Sequence, residues 1–295
     1  LSHIKMPEAQ MFSRFFLLQK RTGMLKSWIK ECHDDDKVRG RVMTLKTITG
    51  RMAHNSPNMA QVPASYSPYG KEFRSLWTIS DPDNYNLVGT DASGLELRCL
   101  AHYMKNKGYI DEVVNGDVHT ANMKMAGLTN RDQAKTFIYA FLYGAGPAKI
   151  GKVVGGGAAQ GRELIKTFLT NMPALKRLRT QVTEAATTGV ILGLDGRHLH
   201  IRSEHAALNT LLQGAGAIIC KEWLVQITKQ VNQKRLDAKL VASIHDEYQF
   251  EVSIEDTPQF CKITKQAILD TEKILGVICP LDSEYKVGKT WAETH

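Results

Sequence analysis

Apolar residues recur at helical spacing near the start of the chain. The series is Met11, Phe15, Leu18, Leu25, Trp28 and Ile29. Because side chains three or four positions apart share one face of a helix, the series predicts a helix over residues 7–31. The polar run 33–37 that follows predicts a loop. Its three consecutive Asp residues favour a solvated turn over a metal site, because adjacent side chains seldom converge on one ion.

The next part of the chain alternates between irregular and helical patterns. Residues 49–68 are rich in Gly, Pro, Asn and Ser and predict irregular structure. Residues 86–91 predict a short buried strand that ends on an acid. From about 94 to 184 the pattern is mostly helical, with breaks at the glycines of 144–147 and 155–157. No strand surrounds the second break, so it predicts a turn and not a phosphate-binding loop.

The second half of the chain predicts a hairpin, two further strands and two helices. The hairpin covers 190–202 with Asp195-Gly196 as its turn, the helices cover about 206–234 and 257–275, and the strands cover 239–244 and 248–252. The fold class is therefore α+β, with a helical insertion between strands that pair across a large sequence gap.

Composition narrows the function classes without selecting one. The 295 residues contain 38 Lys and Arg against 30 Asp and Glu, a formal charge of +8, and 43% are hydrophobic. This mixture excludes a fully disordered chain, and no window approaches the roughly 20 apolar residues of a membrane span. The positive charge is compatible with a polyanionic partner. The five cysteines form no C-x-x-C pair, which favours a reducing compartment over a disulfide framework or a zinc finger.

Two acids, Asp91 and Asp246, are predicted at strand ends far apart in the sequence. The apolar residues expected to bury the two strands are Leu87, Val88, Val241 and Ile244. Two carboxylates held together can bind a pair of divalent cations, and hard Mg²⁺ suits oxygen ligands. The acids alone are equally compatible with ordinary surface hairpins.

A stripe of polar side chains is predicted on the helix that begins near residue 131. Arg131, Lys135 and Tyr139 are four positions apart and share one helical face, over a length of roughly 12 Å. Two cations and an aromatic ring over that distance match the phosphates and the sugar or base of a nucleotide. Tyr143-Gly144 at the end of the helix leaves room for a base. The same spacing also occurs on half-exposed helices without a ligand.

Three segments together resemble motifs A, B and C of the DNA polymerase I family, family A, and most closely its replicative members from T-odd bacteriophages. They are Val88–Arg98 (VGTDASGLELR), Arg131–Gly144 and Ile244–Glu247. Supporting segments are 49–51, 57–63, 116–120, 208–209 and 213–216. The likeness runs in order from about Met11 to the last residue. Several motifs in the right order are far more specific than any one of them.

The resemblance implies template-directed DNA synthesis by two-metal-ion phosphoryl transfer. Asp91 and Asp246 would hold two Mg²⁺ ions, for which Mn²⁺ is a possible substitute, with the Ala92 carbonyl as a further ligand. A primer 3′-hydroxyl would attack the α-phosphate of a deoxynucleotide and release pyrophosphate. Lys135 is the candidate proton donor to pyrophosphate, and a purely electrostatic role also explains its position.

The resemblance also assigns residues to the nucleotide and to DNA. Arg131, Lys135 and His119 would contact the triphosphate, Glu96 would be the steric gate against ribose, Tyr139 would face the sugar, and Tyr143 would lie under the templating pair. Arg51, Asn209, Gln213 and His245 would contact the minor groove or the primer terminus. Minor-groove acceptors occur on every correct pair, so such donors check geometry without reading sequence.

The implied architecture is an antiparallel-sheet palm with a largely helical fingers insertion and a thumb that is mostly absent. Residues 1–44 would be a helical thumb base, 45–103 together with 206–295 the palm, and 104–205 the fingers. We expect primer–template DNA and deoxynucleoside triphosphates as ligands, a protein partner that supplies the thumb and a proofreading exonuclease, no membrane association, and a cytoplasmic location. The chain would be one subunit of a split polymerase or a catalytic fragment.

Two other functions fit parts of the pattern. A single-subunit RNA polymerase relative would share the acids and the lysine, but Glu96 argues against it. A catalytically silent DNA-binding subunit of a replisome is the second, and the presence of both acids with Arg131, Lys135 and Tyr139 argues against a decayed site.

Overall fold

The computed structural model describes residue 4 and residues 6–295 of the chain. Its helices are α1 (Pro7–Lys30), α2 (Gly70–Ser75), α3 (Leu95–Met104), α4 (Lys107–Val114), α5 (Val118–Ala126), α6 (Arg131–Leu142), α7 (Pro147–Val153), α8 (Ala158–Asn171), α9 (Pro173–Ala186), α10 (Ala207–Lys234) and α11 (Thr257–Leu275). Its strands are β1 (Arg41–Met43), β2 (Ala53–Asn55), β3 (Tyr85–Ala92), β4 (Val190–Leu192), β5 (His198–His200), β6 (Ala238–Ile244), β7 (Glu247–Ser253) and β8 (Ser283–Gly288).

The long elements lie where the hydrophobic pattern predicts them. Helix α11 has the predicted bounds, and α1, α10 and the β4–β5 hairpin differ from prediction by a few residues at most. Residues 1–3 and 5 of the predicted 1–44 segment lie outside the described residues. Across residues 6–295, no helix is long and apolar enough to cross a membrane. The predicted α+β class is confirmed, because an antiparallel sheet is interrupted in sequence by the helical run α3–α9.

The main sheet has the strand order β6-β7-β3-β8 and is antiparallel throughout. The predicted pairing across the large sequence gap is made by β3 with β7, the strand after Asp246, and β6, the strand before Asp246, lies on the other side of β7. Asp246 is in the two-residue turn joining β6 to β7, where His245 has a φ of 58°. The Ala92 amide donates to the Asp246 carbonyl over 3.1 Å, so the strand ends still meet.

The pattern predicts one outer strand of this sheet and misses the other. Strand β6 was predicted at 239–244, whereas strand β8 was not predicted, and its residues 284–287 are all exposed. It is held by pairing to β3, from Leu87 with Gly288 to Ala92 with Ser283. Val241, expected to bury β6, is 55% exposed, because a register shift between Leu240 and Ala242 interrupts the pairing of this edge strand.

Helix α10 is the centre of the core. From Leu211 to Cys220 every residue except Gln213 is buried, because α3, α9 and α11 pack around it together with the sheet. A second, smaller cluster seats Trp28 of α1 against Phe73, with ring centroids 5.3 Å apart, and reaches Ile244 and Trp291. Because this cluster includes Leu87 of β3 and Ile244 of β6, it holds in place the strands that lead to Asp91 and Asp246.

Replacing Trp223 by Ala is expected to destabilise the protein by about 3–5 kcal/mol. The indole is fully buried on α10, its Nε1 donates to the Thr264 carbonyl over 2.9 Å, and its ring lies 5.3 Å from that of Tyr248. Chemical denaturation followed by circular dichroism measures the loss. The exposed Val225→Ala on the same helix is the matched control, and an equal loss in both variants would contradict this account of the core.

Candidate active site

The two predicted acids lie together at one end of the main sheet. Asp91 is the Cα partner of Glu247, the residue after Asp246. Within the described part of the chain, no side chain donates a hydrogen bond to the Asp91 or the Asp246 carboxylate. Although Asp91 keeps an exposed surface, the protein crowded around it removes water, and this desolvation, ahead of the charges of Asp246 and Glu247, raises its pKa to about 8. Desolvation and then the charge of Glu96 raise the pKa of Asp246.

The oxygen atoms at this sheet end fit a hard divalent cation. Two carboxylates without side-chain hydrogen-bond donors repel one another, and a bound cation would relieve that repulsion. In residue 4 and residues 6–295, no group of three or more His, Cys, Asp or Glu side chains could hold a metal ion. Mg²⁺ commonly uses one or two carboxylates and completes its shell with substrate phosphates and water. The chain therefore supplies Asp91, Asp246 and the Ala92 carbonyl as candidate ligands.

Glu247 lies next to this pair, but its carboxylate is already bonded by other side chains. Its buried carboxylate takes bonds from the side chains of Gln249, Trp291 and His295. Burial would raise its pKa, but these bonds, led by the one from His295, hold the pKa below its ordinary value. Glu247 thus joins Trp291 and His295 to the first residue of β7.

Helix α6 presents the predicted polar stripe. Its other face is buried through Ala134, Phe137, Ile138, Phe141 and Leu142. Arg131 and Lys135 are exposed, Tyr139 is half-buried, and the rings of Tyr139 and Tyr143 stack with centroids 6.4 Å apart. His119 of α5 joins the stripe, with its ring centroid 6.2 Å from that of Tyr139. Desolvation, followed by the charges of Arg131 and Lys135, lowers the pKa of His119.

Glu96 lies between the carboxylate pair and the end of α6. Its Oε1 accepts the Tyr143 hydroxyl at 2.7 Å and lies 3.6 Å from a guanidinium nitrogen of Arg51. Its charge acts on Asp246 and on Tyr139, whose pKa is raised first by burial and then by Glu96 and Asp246. Asp246, Glu96 and the aromatic end of the stripe are thus neighbours.

Glycine is required next to Tyr143. Gly144 has a φ of 73°, and a Cβ there would lie 2.7 Å from the His205 carbonyl oxygen. A larger residue would therefore displace the chain that leads into α10. The sequence indicated that glycine here leaves room for a base, and the structure shows that the nearby His205 carbonyl also requires it.

The predicted DNA-contacting residues lie on the opposite side of Glu96. Arg51 and His245 line one small cavity with Ala217 of α10. Gln213 and Asn209 are one and two turns before Ala217 and are half-exposed on α10. Desolvation and then the Arg51 charge lower the pKa of His245. The structure thus brings Arg51 and His245 together, and helical spacing puts Gln213 and Asn209 on the side of α10 that carries Ala217.

The sequence pattern that defines DNA polymerase family A matches residues 2–293. The chain belongs to DNA polymerase family A. The DNA-directed DNA polymerases of Enterobacteria phage T3 and Escherichia phage T7 are 39% and 40% identical to it, and each alignment covers 98% of this chain and 47% of the relative. The chain therefore spans about half the length of these curated relatives. The family predicted from motifs A, B and C is confirmed.

A solved family A structure has the same fold. It is titled the POL domain of Pol1 from M. smegmatis in complex with DNA primer–template and dNTP. The likeness has a TM-score of 0.84 at 19% identity and covers 93% of this chain and 52% of that one. At this identity the match speaks to the fold alone, and it agrees with the sheet and helices described above.

Three residues that bond to members of the family A motifs were given no role from the sequence. Asp117 accepts two bonds from Arg131, and Trp291 and His295 hold Glu247. For Asp117 a local signal exists, because an Asp directly before a helical run is a favoured N-cap. For Trp291 and His295 no local signal exists, because their contacts depend on how the chain returns to the sheet.

Proposed function

We propose that the chain carries out template-directed DNA synthesis by adding deoxynucleotides to a primer 3′-hydroxyl. The observation that carries the proposal is the position of Glu96. This side chain bonds Tyr143 at the end of the cationic α6 stripe and acts electrostatically on Asp246. One cleft therefore offers carboxylates for divalent ions, cations for a triphosphate and rings for a sugar and base. Membership of family A supports the same reading.

Two divalent ions, Mg²⁺ with Mn²⁺ as a possible substitute, would be held by Asp91, Asp246 and the Ala92 carbonyl. When bound, they supply activation of the attacking hydroxyl and stabilisation of charge on the leaving oxygen. The chain positions its two carboxylates at joined strand ends, which fixes their separation before substrate arrives. Their shared desolvation strengthens electrostatic attraction to any cation placed there.

Arg131, Lys135 and His119 would neutralise the triphosphate. In the reaction a bond forms between the primer 3′-oxygen and the α-phosphorus, and the bond from that phosphorus to the bridging oxygen breaks. The hydroxyl proton is lost and pyrophosphate gains one, for which Lys135 is the proposed donor. Lys135 is exposed toward solvent on the same helical face as Arg131, so both reach a ligand without rearranging the core.

Arg51, Asn209, Gln213 and His245 are proposed to hold the primer terminus and the minor groove. All are half-exposed or exposed, Arg51 lies 3.6 Å from Glu96, and Arg51 and His245 line one cavity. Their donors would meet acceptors common to every correct pair. This arrangement favours correct geometry over a particular base sequence.

The proposed division of the chain follows the sheet and the helical insertion. Residues 45–103 and 206–295 would be the palm, because they contain the four-stranded sheet with α10 and α11. Residues 104–205 would be the fingers and contain α4–α9 with the β4–β5 hairpin. Residues 1–44 would be the thumb base, which includes α1.

A protein partner that supplies a thumb and a proofreading exonuclease is proposed from the surface of α1. Met11, Phe12, Phe15 and Phe16 are each more than half exposed, and within the described helix only Ala9 and Trp28 are buried. Exposed apolar patches of this kind mark contact surfaces. Gel filtration with primed DNA, together with a search for a co-purifying chain, tests the proposal, and tight processive synthesis by this chain alone contradicts it. We place such an enzyme in the cytoplasm.

Primer extension by the isolated chain tests the proposed function. The chain is incubated with primed DNA, Mg²⁺ and each nucleotide alone. We expect incorporation of the complementary deoxynucleotide only, and none after chelation of the metal. Absence of extension, or equal use of ribonucleotides, would contradict the proposal.

Tyr139→Phe is expected to raise rejection of dideoxynucleotides at least about tenfold. In the wild type the Tyr139 hydroxyl would occupy the space left by a missing 3′-hydroxyl and replace its bond, which is worth about 1.5–3 kcal/mol when a charged group takes part. Competition between deoxy and dideoxy nucleotides in one extension reaction measures the ratio. Tyr109→Phe, in the same helical region, is the control, and strong rejection of dideoxynucleotides by the wild type would overturn the assignment.

A further inference from the structure

One carboxylate connects the two helices that carry the phosphate-facing side chains. Asp117 is the N-cap of α5. Its Oδ1 accepts the backbone amides of His119 at 3.1 Å and Thr120 at 3.3 Å, and its Oδ2 accepts the Thr120 hydroxyl at 2.7 Å. The same two oxygens take Nε of Arg131 at 2.7 Å and a terminal nitrogen of Arg131 at 3.0 Å. Arg131 is the first residue of α6.

The two-bond fork fixes the plane and the direction of the Arg131 guanidinium. Arginine has five N–H donors, and two of them are used on Asp117, so three point elsewhere. The pair is solvent-exposed, with side-chain exposures of 50% for Arg131 and 44% for Asp117. Exposed ion pairs contribute little to stability. The consequence of this contact is therefore orientation rather than folding energy.

We propose that Asp117 is a positioning residue for the nucleotide triphosphate. Asp117 aims the remaining donors of Arg131 at the phosphates and, by capping α5, sets the place of His119 beside them. This inference rests on the proposed function, because it takes the α5–α6 cations as the triphosphate site. It adds to that site a residue that acts through Arg131 and not by touching substrate.

The opposite role would be competition, in which Asp117 neutralises Arg131 and weakens phosphate binding. The geometry favours positioning. The carboxylate is anchored to its own helix by two amides and a hydroxyl, so it stays in place when a ligand arrives. Arginine forks also leave their outer N–H groups free for a second anion, as the planar guanidinium binds on more than one edge.

A double-mutant cycle on triphosphate binding tests the inference. Equilibrium dialysis with labelled dATP gives the Kd of the whole chain for wild type, Asp117→Asn, Arg131→Gln and the double variant. Asn preserves an N-cap oxygen but weakens the fork. We expect Asp117→Asn to raise the Kd about three- to tenfold when Arg131 is present, and less than about 1.5-fold when it is Gln. Asp132→Asn is the matched control, because it removes a neighbouring charge that makes no bond to Arg131 in the described residues.

Several outcomes overturn the inference. An equal rise in Kd in both backgrounds means a structural role for Asp117, and a fall in Kd means competition. If Asp117→Asn does not fold, Arg131→Lys takes its place, because it keeps the charge and loses the fork. A Kd for Arg131→Lys equal to wild type then refutes positioning. Wild-type primer extension is measured in parallel: dATP binding without extension refutes the proposed function alone, and extension without coupling in the cycle refutes this inference alone.

Discussion

Asp246→Ala is expected to abolish nucleotide incorporation, with a loss of at least about 10³-fold, equivalent to roughly 4 kcal/mol of transition-state stabilisation. Asp246 is one of two carboxylates at the joined ends of β3 and the β6–β7 turn, and no side chain in the described residues bonds to it. Without it, Asp91 and the Ala92 carbonyl remain as the only proposed ligands from the chain. Single-turnover primer extension with excess enzyme measures the rate of the chemical step.

Binding of primer–template by Asp246→Ala is expected to remain within a few-fold of wild type. The proposed DNA contacts at Arg51 and Gln213 are untouched, and removal of one member of a repelling acid pair does not destabilise the fold. Fluorescence anisotropy with labelled DNA and the unfolding temperature check both points. Glu284→Ala is the matched control, because Glu284 is the β8 partner of Asp91 and adds charge there without a proposed role. Incorporation that survives in Asp246→Ala would refute the metal assignment.

The sequence allowed the prediction of those helices and strands that bury one side, because burial leaves a regular spacing of apolar residues. Helix α11 was predicted at its observed bounds because it buries one face on the sheet and α10. Strand β8 was not, because pairing to β3 holds it while most of its side chains stay in solvent. Val241 was predicted to be buried but is exposed, because it lies where the register of an edge strand shifts. The local pattern of apolar residues therefore predicts which side of an element is buried, but it does not predict which distant strand pairs with it.

In the candidate site, too, some neighbours could be predicted from the sequence and others only from the fold. Arg131, Lys135 and Tyr139 could be grouped from the sequence, because helical spacing alone puts them on one face. The bond from Tyr143 to Glu96 joins residues 47 positions apart, so only the folded structure reveals it. The Arg131–Asp117 fork joins α6 to the cap of α5 in the same manner. Motif order identified the family, whereas partner choice within the site required the fold.

Glu96→Ala is expected to reduce discrimination against ribonucleotides by about 10²-fold, or roughly 2.7 kcal/mol. Glu96 is held by the Tyr143 hydroxyl at 2.7 Å and lies next to Arg51. In the proposed nucleotide position its carboxylate would collide with a 2′-hydroxyl and could not satisfy it. Alanine removes that collision and leaves space for the ribose. The ratio of kcat/KM for a deoxynucleotide to that for the matching ribonucleotide measures the change.

Two further variants separate bulk from charge and from the tyrosine bond. Glu96→Gln keeps the volume of the side chain, so a steric gate predicts that its discrimination stays near wild type, whereas an electrostatic gate predicts a loss close to that of Glu96→Ala. Tyr143→Phe keeps Glu96 and removes only the hydroxyl that holds it. Because a freed Glu96 can rotate away from the sugar, we expect an intermediate loss in this variant. If Glu96→Ala discriminates as well as wild type, the side chain is not the gate, and the bond between Glu96 and Tyr143 then serves only to join α3 to the end of α6.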